Sequence, residues 1–160
     1  MRPTSTLPCL FERICSGESA SAKGGIHSRL VSISQYRKSV LEDLRNLLGN
    51  CAILKDEEAA SYPESACSVL NYGIRFAWGS NMGLQEMPAL EYHIKDLLLI
   101  YEPRFDRASL KVTARPQAER PDSVALEIEA QLWCHPVPEY LKYETRLDLN
   151  VGVFVFNNLG

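Results

Sequence analysis

A chain of 160 residues, 46% hydrophobic and 23% charged, is long enough for one domain with a real core and too short for two ordinary ones. A formal net charge of -3 gives no general pull toward nucleic acid or an anionic membrane surface. No apolar run approaches the roughly 20 residues of a membrane-spanning helix, so direct membrane insertion is not expected.

The chain opens with a short apolar patch, Leu7, Leu10, Phe11 and Ile14, whose spacing suits one or two helical turns. SGESASAKGGIHS, residues 16–28, then reads as a flexible link. Residues 1–30 are therefore predicted to be a short docking segment and linker, and residues 31–160 a single domain. Glu12 and Arg13 interrupt the early apolar residues, so a secretory signal is not expected.

The first clear helix is predicted over about 34–48. Tyr36, Val40, Leu41, Leu44, Leu47 and Leu48 share one face, Ser34 serves as cap, and Gly49-Asn50 supplies a left-handed stop. Residues 51–67 read as a loop with a possible helical turn limited by Pro63. SVLNYGIRFAW, 68–78, carries the turn residues Asn71, Tyr72 and Gly73, predicted to cover one end of the core. WGSNMG, 78–83, reads as a loop. A second helix is predicted over about 88–101. Pro88 suits its first position, Leu90, Ile94, Leu97, Leu98 and Tyr101 form its buried stripe, and Glu91 and Lys95 pair on its outer side.

After residue 101 the hydrophobic period changes from 3.6 to 2. SLKVTA (109–114), VALEIEAQLW (124–133), LKYETRLDL (141–149) and VFVF (153–156) all alternate or read as short strands. Helices first and strands after predict an α+β domain: two main helices on one face of a roughly four-stranded, mostly antiparallel sheet. The other face carries alternating charges and should meet solvent or a partner. If Val153, Phe154, Val155 and Phe156 form an edge strand, their unpaired backbone groups are a template for another chain's strand.

Catalytic chemistry is sparse. GSNMG lacks the nucleophile-elbow form, no phosphate loop follows a strand, and the three histidines are scattered at 27, 93 and 135. The five cysteines, at 9, 15, 51, 67 and 134, form no CxxC and no zinc spacing; mostly buried or idle thiols in a reducing cytoplasm are expected. No catalytic residue, metal or cofactor is predicted. Acidic residues are common, so pairs such as Glu102 with Asp106, Glu86 or Glu91 do not single out a hydrolase.

Glu102 stands apart, because the proline after it must end the second helix. A carboxylate at a helix C-terminus needs a cation, and Arg104 and Arg107 are near. Either a local ion pair tidies the helix exit, or a rigid charge pair grips another protein.

SVLNYGI (68–74), YEPRF (101–105) and VALEIEAQLW…PVPEYLKYETRLDLNVGVFVF resemble the TssE family of type VI secretion baseplate subunits, shared with phage baseplate-wedge proteins once labelled lysozyme-like. LPCLFERI (7–14) and SVLEDLRNLLGN (39–50) resemble that family's early motifs. The resemblance implies a structural, non-enzymatic baseplate component in the cytoplasm, docked at an inner-membrane complex. It implies that Glu102, Pro103 and Arg104 contact wedge proteins of the TssF, TssG and TssK types. It also implies that Val153–Phe156 seed sheath assembly with TssB- and TssC-type subunits by strand pairing. Charge reversal at Arg104 would then block sheath assembly and leave the domain folded. A peptidoglycan hydrolase, or a phage-tail wedge protein outside type VI secretion, is the alternative.

Overall fold

The computed structural model describes residues 5–6, 31–54, 56–74, 86–117, 119–134 and 137–156. The apolar patch at 7–14, the link at 16–28, the loop at 78–83, His27, His135, Cys9 and Cys15 lie outside them.

Two residues, β1 (Ser5–Thr6), pair antiparallel with β2 (Val31–Ser32), tying the start of the chain to the domain. Helix α1 (Ile33–Gly49) begins directly after β2. Its cap is Ser32, not Ser34: the Ser32 hydroxyl accepts from the Gln35 N–H and the Gln35 side chain accepts from the Ser32 N–H, a closed capping box. The helix buries Tyr36, Val40, Leu44, Leu47 and Leu48, as the periodicity predicts. The predicted left-handed stop is absent. Asn50 is extended (φ -105°, ψ 154°), and its side-chain amide donates to the Asn46 carbonyl at 2.6 Å. Asn50 turns outward because its own carbonyl serves another segment, accepting from the Ile74 N–H at 2.8 Å. Gly49 is thus an ordinary helical residue, with nothing within 4 Å of where a Cβ would stand. Gly49→Ala should raise stability by about 0.5 kcal/mol, read as a later urea midpoint, because alanine loses less backbone entropy.

Short helices α2 (Asp56–Ser61) and α3 (Pro63–Ala66) follow, the second starting on the proline that limits the first. A single 3₁₀ turn, η1 (Val69–Asn71), leads to Gly73 and Ile74. Helix α4 (Met87–Tyr101) buries Met87, Leu90, Ile94 and Leu98.

The sheet is an antiparallel meander in the order β3 (Lys111–Gln117), β4 (Arg120–Leu132), β5 (Glu139–Asp148), β6 (Val153–Phe156). The fold is α+β. The alternation holds through the sheet: Val124, Leu126, Ile128, Ala130 and Leu132 of β4 and Leu141, Tyr143, Thr145 and Leu147 of β5 are buried. β3 and β4 run further toward their shared turn than the pattern predicts, through Pro116 and Pro121. Pro116 sits on an edge strand beside a register shift, where a missing N–H is tolerated. α4 packs along β3 and α1 lies near β6, both on the buried face. Tyr143 and Leu126 thereby join the helix stripes in one core.

The opposite face is charged. Glu127 and Glu144 are directly opposed across β4 and β5, and Lys142 bridges them at 3.0 and 3.6 Å while also reaching Glu129 at 3.7 Å. Directly opposed like charges repel, and the lysine offsets that. It holds the Glu127 carboxyl below the usual glutamate range, chiefly by hydrogen bonding against the opposing effect of desolvation.

Candidate protein docking site

Three features carry the residues singled out from the sequence: the corner after α4, the turn at residues 68–74, and the strand β6. At the corner, Pro103 forces Glu102 out of the helical region (φ -121°, ψ 78°). The carboxylate turns inward and is only 4% exposed. Arg104 closes on it as a fork. Its backbone N–H and Nε donate to Oε1 at 3.2 and 2.6 Å, and Nη2 donates to Oε2. The same guanidinium reaches α1, where Nη2 donates to Asp43 Oδ2 at 2.6 Å and Nη1 lies 3.5 Å from Ser39 Oγ. Burial works against its charge. The hydrogen bonds and charges of Glu102 and then Asp43 outweigh burial and hold the Arg104 pKa above arginine's ordinary value.

The corner is therefore a three-way ionic joint between the exit of α4 and the middle of α1. Its backbone is also fixed to the sheet: the Trp133 N–H donates to the Arg104 carbonyl and the Asp106 N–H to the Gln131 carbonyl, both at 2.8 Å. Phe105, 3% exposed, is the apolar nail beneath. Of the predicted contact residues, Pro103 is exposed, Arg104 partly so, and Glu102 nearly hidden. Arg107 is exposed and Asp106 caps Ser109, its carboxylate accepting from the Ser109 N–H at 3.1 Å.

The turn at 68–74 is held from inside. Asn71, 3% exposed, accepts from the Leu54 N–H at 3.0 Å and donates to the Ala66 carbonyl at 3.1 Å. The Tyr101 hydroxyl lies 2.8 Å from the Ser68 carbonyl and 3.0 Å from that of Asn71. Tyr72 meets Tyr101 edge to face, and its hydroxyl approaches the Asp43 carbonyl at 3.5 Å. Burial, and then the carboxylates of Asp43 and Glu102, push the Tyr72 pKa up. The turn and the ionic corner thus share Asp43 and Tyr101 as neighbours. The turn covers the core less than predicted: Asn71 and Ile74 are buried, but Val69 and Leu70 are 81% and 70% exposed. Pinning Asn71 inward rotates its two apolar predecessors outward.

β6 is an edge strand, as the sequence pattern allows. Phe154 is buried, Phe156 stacks near Tyr143, and the Arg45 guanidinium lies 5.3 Å above the Phe156 ring. Thr145 Oγ1 donates to the Val155 carbonyl at 3.0 Å. Val153 and Val155 are about half exposed on the charged face. Among the described residues, no strand pairs with the outer side of β6. The other edge differs. Glu91 does not stay on the outer side of α4 with Lys95; it reaches β3 and accepts from the Ala114 N–H at 2.7 Å.

Among the described residues no group of three histidines, cysteines or carboxylates is arranged to hold a metal. Of the thiols expected to be buried or idle, the described three are free: Cys51 and Cys67 are exposed and Cys134 is partly buried.

A family model described as "Baseplate wedge protein gp25" matches residues 34–137, well over half of the chain. The chain belongs to the gp25 baseplate wedge family. The match takes in α1, the SVLNYG turn, α4, the EPR corner, β3 and β4, and stops short of β5. It bears out the resemblance carried by SVLNYG and EPR, and makes this a structural component of a phage-tail-like baseplate. A crystal structure named for a tail lysozyme of Geobacter sulfurreducens is 19% identical, covering 71% of this chain and 91% of its own, with a TM-score of 0.47. No curated protein matches. Among the described residues of this gp25-family chain, no helix is long and apolar enough to cross a membrane.

Proposed function

We propose that this gp25-family protein is the TssE-type subunit of a type VI secretion baseplate, working without catalysis. In this reading it joins the wedge proteins, of the TssF, TssG and TssK types, to the first ring of TssB- and TssC-type sheath subunits. It does so in the cytoplasm, in a baseplate docked at an inner-membrane complex. The observation that carries the reading is the edge strand β6, whose outer backbone groups meet no other described strand. A strand of a sheath subunit can add there by main-chain hydrogen bonds. The exposed Val69 and Leu70, and the exposed Pro103 beside Arg104, would offer the wedge proteins an apolar and a charged contact.

The hydrolase alternative finds little support at the corner. Both oxygens of Glu102 already accept from Arg104, and the group is almost wholly enclosed. Asp43, the carboxylate beside it, is bound to the same guanidinium.

The test is the double variant Val153→Lys and Val155→Lys. Both side chains are about half exposed, so the melting temperature should stay within about 1–2 °C of wild type. Lysines on a sheet edge discourage strand addition. Sheath assembly in cells, followed by fluorescence of a labelled sheath subunit, should be lost. Intact contractile sheaths with this variant would defeat the proposal. Clearance of purified peptidoglycan by the wild-type protein, abolished by Glu102→Gln, would favour the hydrolase instead.

A further inference from the structure

On the charged face, one row of side chains crosses the whole sheet in register: Arg115 of β3, Ala125 of β4, Arg146 of β5 and Val155 of β6. Two arginines flank a residue too small to screen them. Among the described residues neither forms an ion pair, whereas Lys142, two rows over on the same face, holds three carboxylates. The carboxylates beside Arg146 on its own strand are engaged elsewhere. Glu144 lies 3.6 Å from Lys142, and Asp148 accepts from the Asn150 and Val151 N–H groups in the β5–β6 turn. Arg146 Nε is shut off from solvent and has no hydrogen-bond partner. An enclosed donor left unmet is costly, and the residue as a whole is only partly buried.

We infer that the strand received by β6 carries an aspartate or glutamate on its outward face opposite Val155, and that Arg146 is the residue that pairs with it. The inference rests on the reading of β6 as a strand acceptor. A strand added outside β6 would lie about 10 Å from β5, two inter-strand spacings. An arginine and an acidic side chain reaching toward each other over the short Val155 span that gap. Arg115, on the β3 side of the same row, offers no counter-charge, so the β6 side is where one can be supplied. Main-chain pairing accepts almost any sequence, so the ion pair supplies register and partner choice.

The experiment uses the full chain and fluorescein-labelled ten-residue peptides of alternating valine and threonine. One has a central outward glutamate, one a lysine at the same place, and a third is the glutamate peptide N-methylated on its edge-facing amides. Fluorescence anisotropy at low salt should show the glutamate peptide binding about tenfold more tightly than the lysine peptide, a gap that narrows at high salt. Arg146→Met should erase the preference and Arg146→Glu reverse it, with circular dichroism unchanged. The N-methylated peptide should not bind. Equal binding of the glutamate and lysine peptides to wild type, with N-methylation of the glutamate peptide still abolishing its binding, overturns the charge inference and leaves the strand acceptor standing. Undiminished binding of the N-methylated peptide, or no binding by any peptide, overturns the strand acceptor and the inference with it.

Discussion

Arg104→Ala should destabilise the isolated protein by about 3–5 kcal/mol, because it strands a carboxylate that is almost completely enclosed. Glu102 is 4% exposed and takes three hydrogen bonds from this one residue. The backbone bond survives the substitution; the two charged ones do not. Asp43 on α1 also loses its partner, so α1 is no longer tethered to the exit of α4. In a domain of this size the loss corresponds to a fall in melting temperature of roughly 10 °C. Urea unfolding followed by circular dichroism measures it. The double variant Glu102→Leu with Arg104→Met should lose less than Arg104→Ala alone, since it removes both members of the pair and leaves no orphan charge. A loss under about 1 kcal/mol for Arg104→Ala would show the joint to be ornamental.

This changes how the EPR tripeptide can be tested. From sequence, charge reversal at Arg104 reads as a clean way to block docking in a folded protein. In the structure, Arg104→Glu places a third carboxylate against Glu102 and Asp43, and the domain should unfold before docking is asked about. Pro103, exposed at the same corner, is the better place to probe contact.

Gly73→Ala should cost about 3 kcal/mol by the same measurement. Gly73 has φ +119°, outside the range an L side chain adopts without strain. Its added Cβ would also stand 2.5 Å from the Asn50 carbonyl oxygen and 2.9 Å from the Cys51 nitrogen. These are backbone atoms held by the hydrogen bonds between Asn50, Ala52 and Ile74, so they cannot step aside cheaply. Gly152 is the internal comparison. Its φ of +71° is ordinary left-handed turn geometry, and Gly152→Ala should cost only about 1 kcal/mol. Equal costs at the two glycines would mean that the close approach to Asn50 yields without effort.

The parts of the fold that were legible in the sequence are those where one period runs uninterrupted. The alternation of Val124 to Leu132 and of Leu141 to Leu147 placed β4 and β5 correctly, and the stripes of α1 and α4 were equally plain. What escaped was set by distant chain. Ser32 and Gln35 do spell a capping box, but Ser34 competes for the role, and β2 decides between them by fixing Ser32 in extended form. Asn50 beside a glycine looks like a left-handed stop, until Ile74 claims its carbonyl. At the candidate site, Glu102 and Arg104 are two residues apart and their pairing was readable. Asp43 is the third member, from another helix, and no local pattern announces it. Glu91 reads as half of a surface pair because α4 alone was considered; the backbone of β3 outbids Lys95 for it.

That last bond gives the sheet a direction. With Glu91 occupying the outward N–H of Ala114, one donor of the β3 edge is met by the protein's own helix, whereas no described strand meets the outer side of β6. If strands add to this sheet as proposed above, β6 is the favoured margin, and a polymer begun there has a defined origin and a single heading.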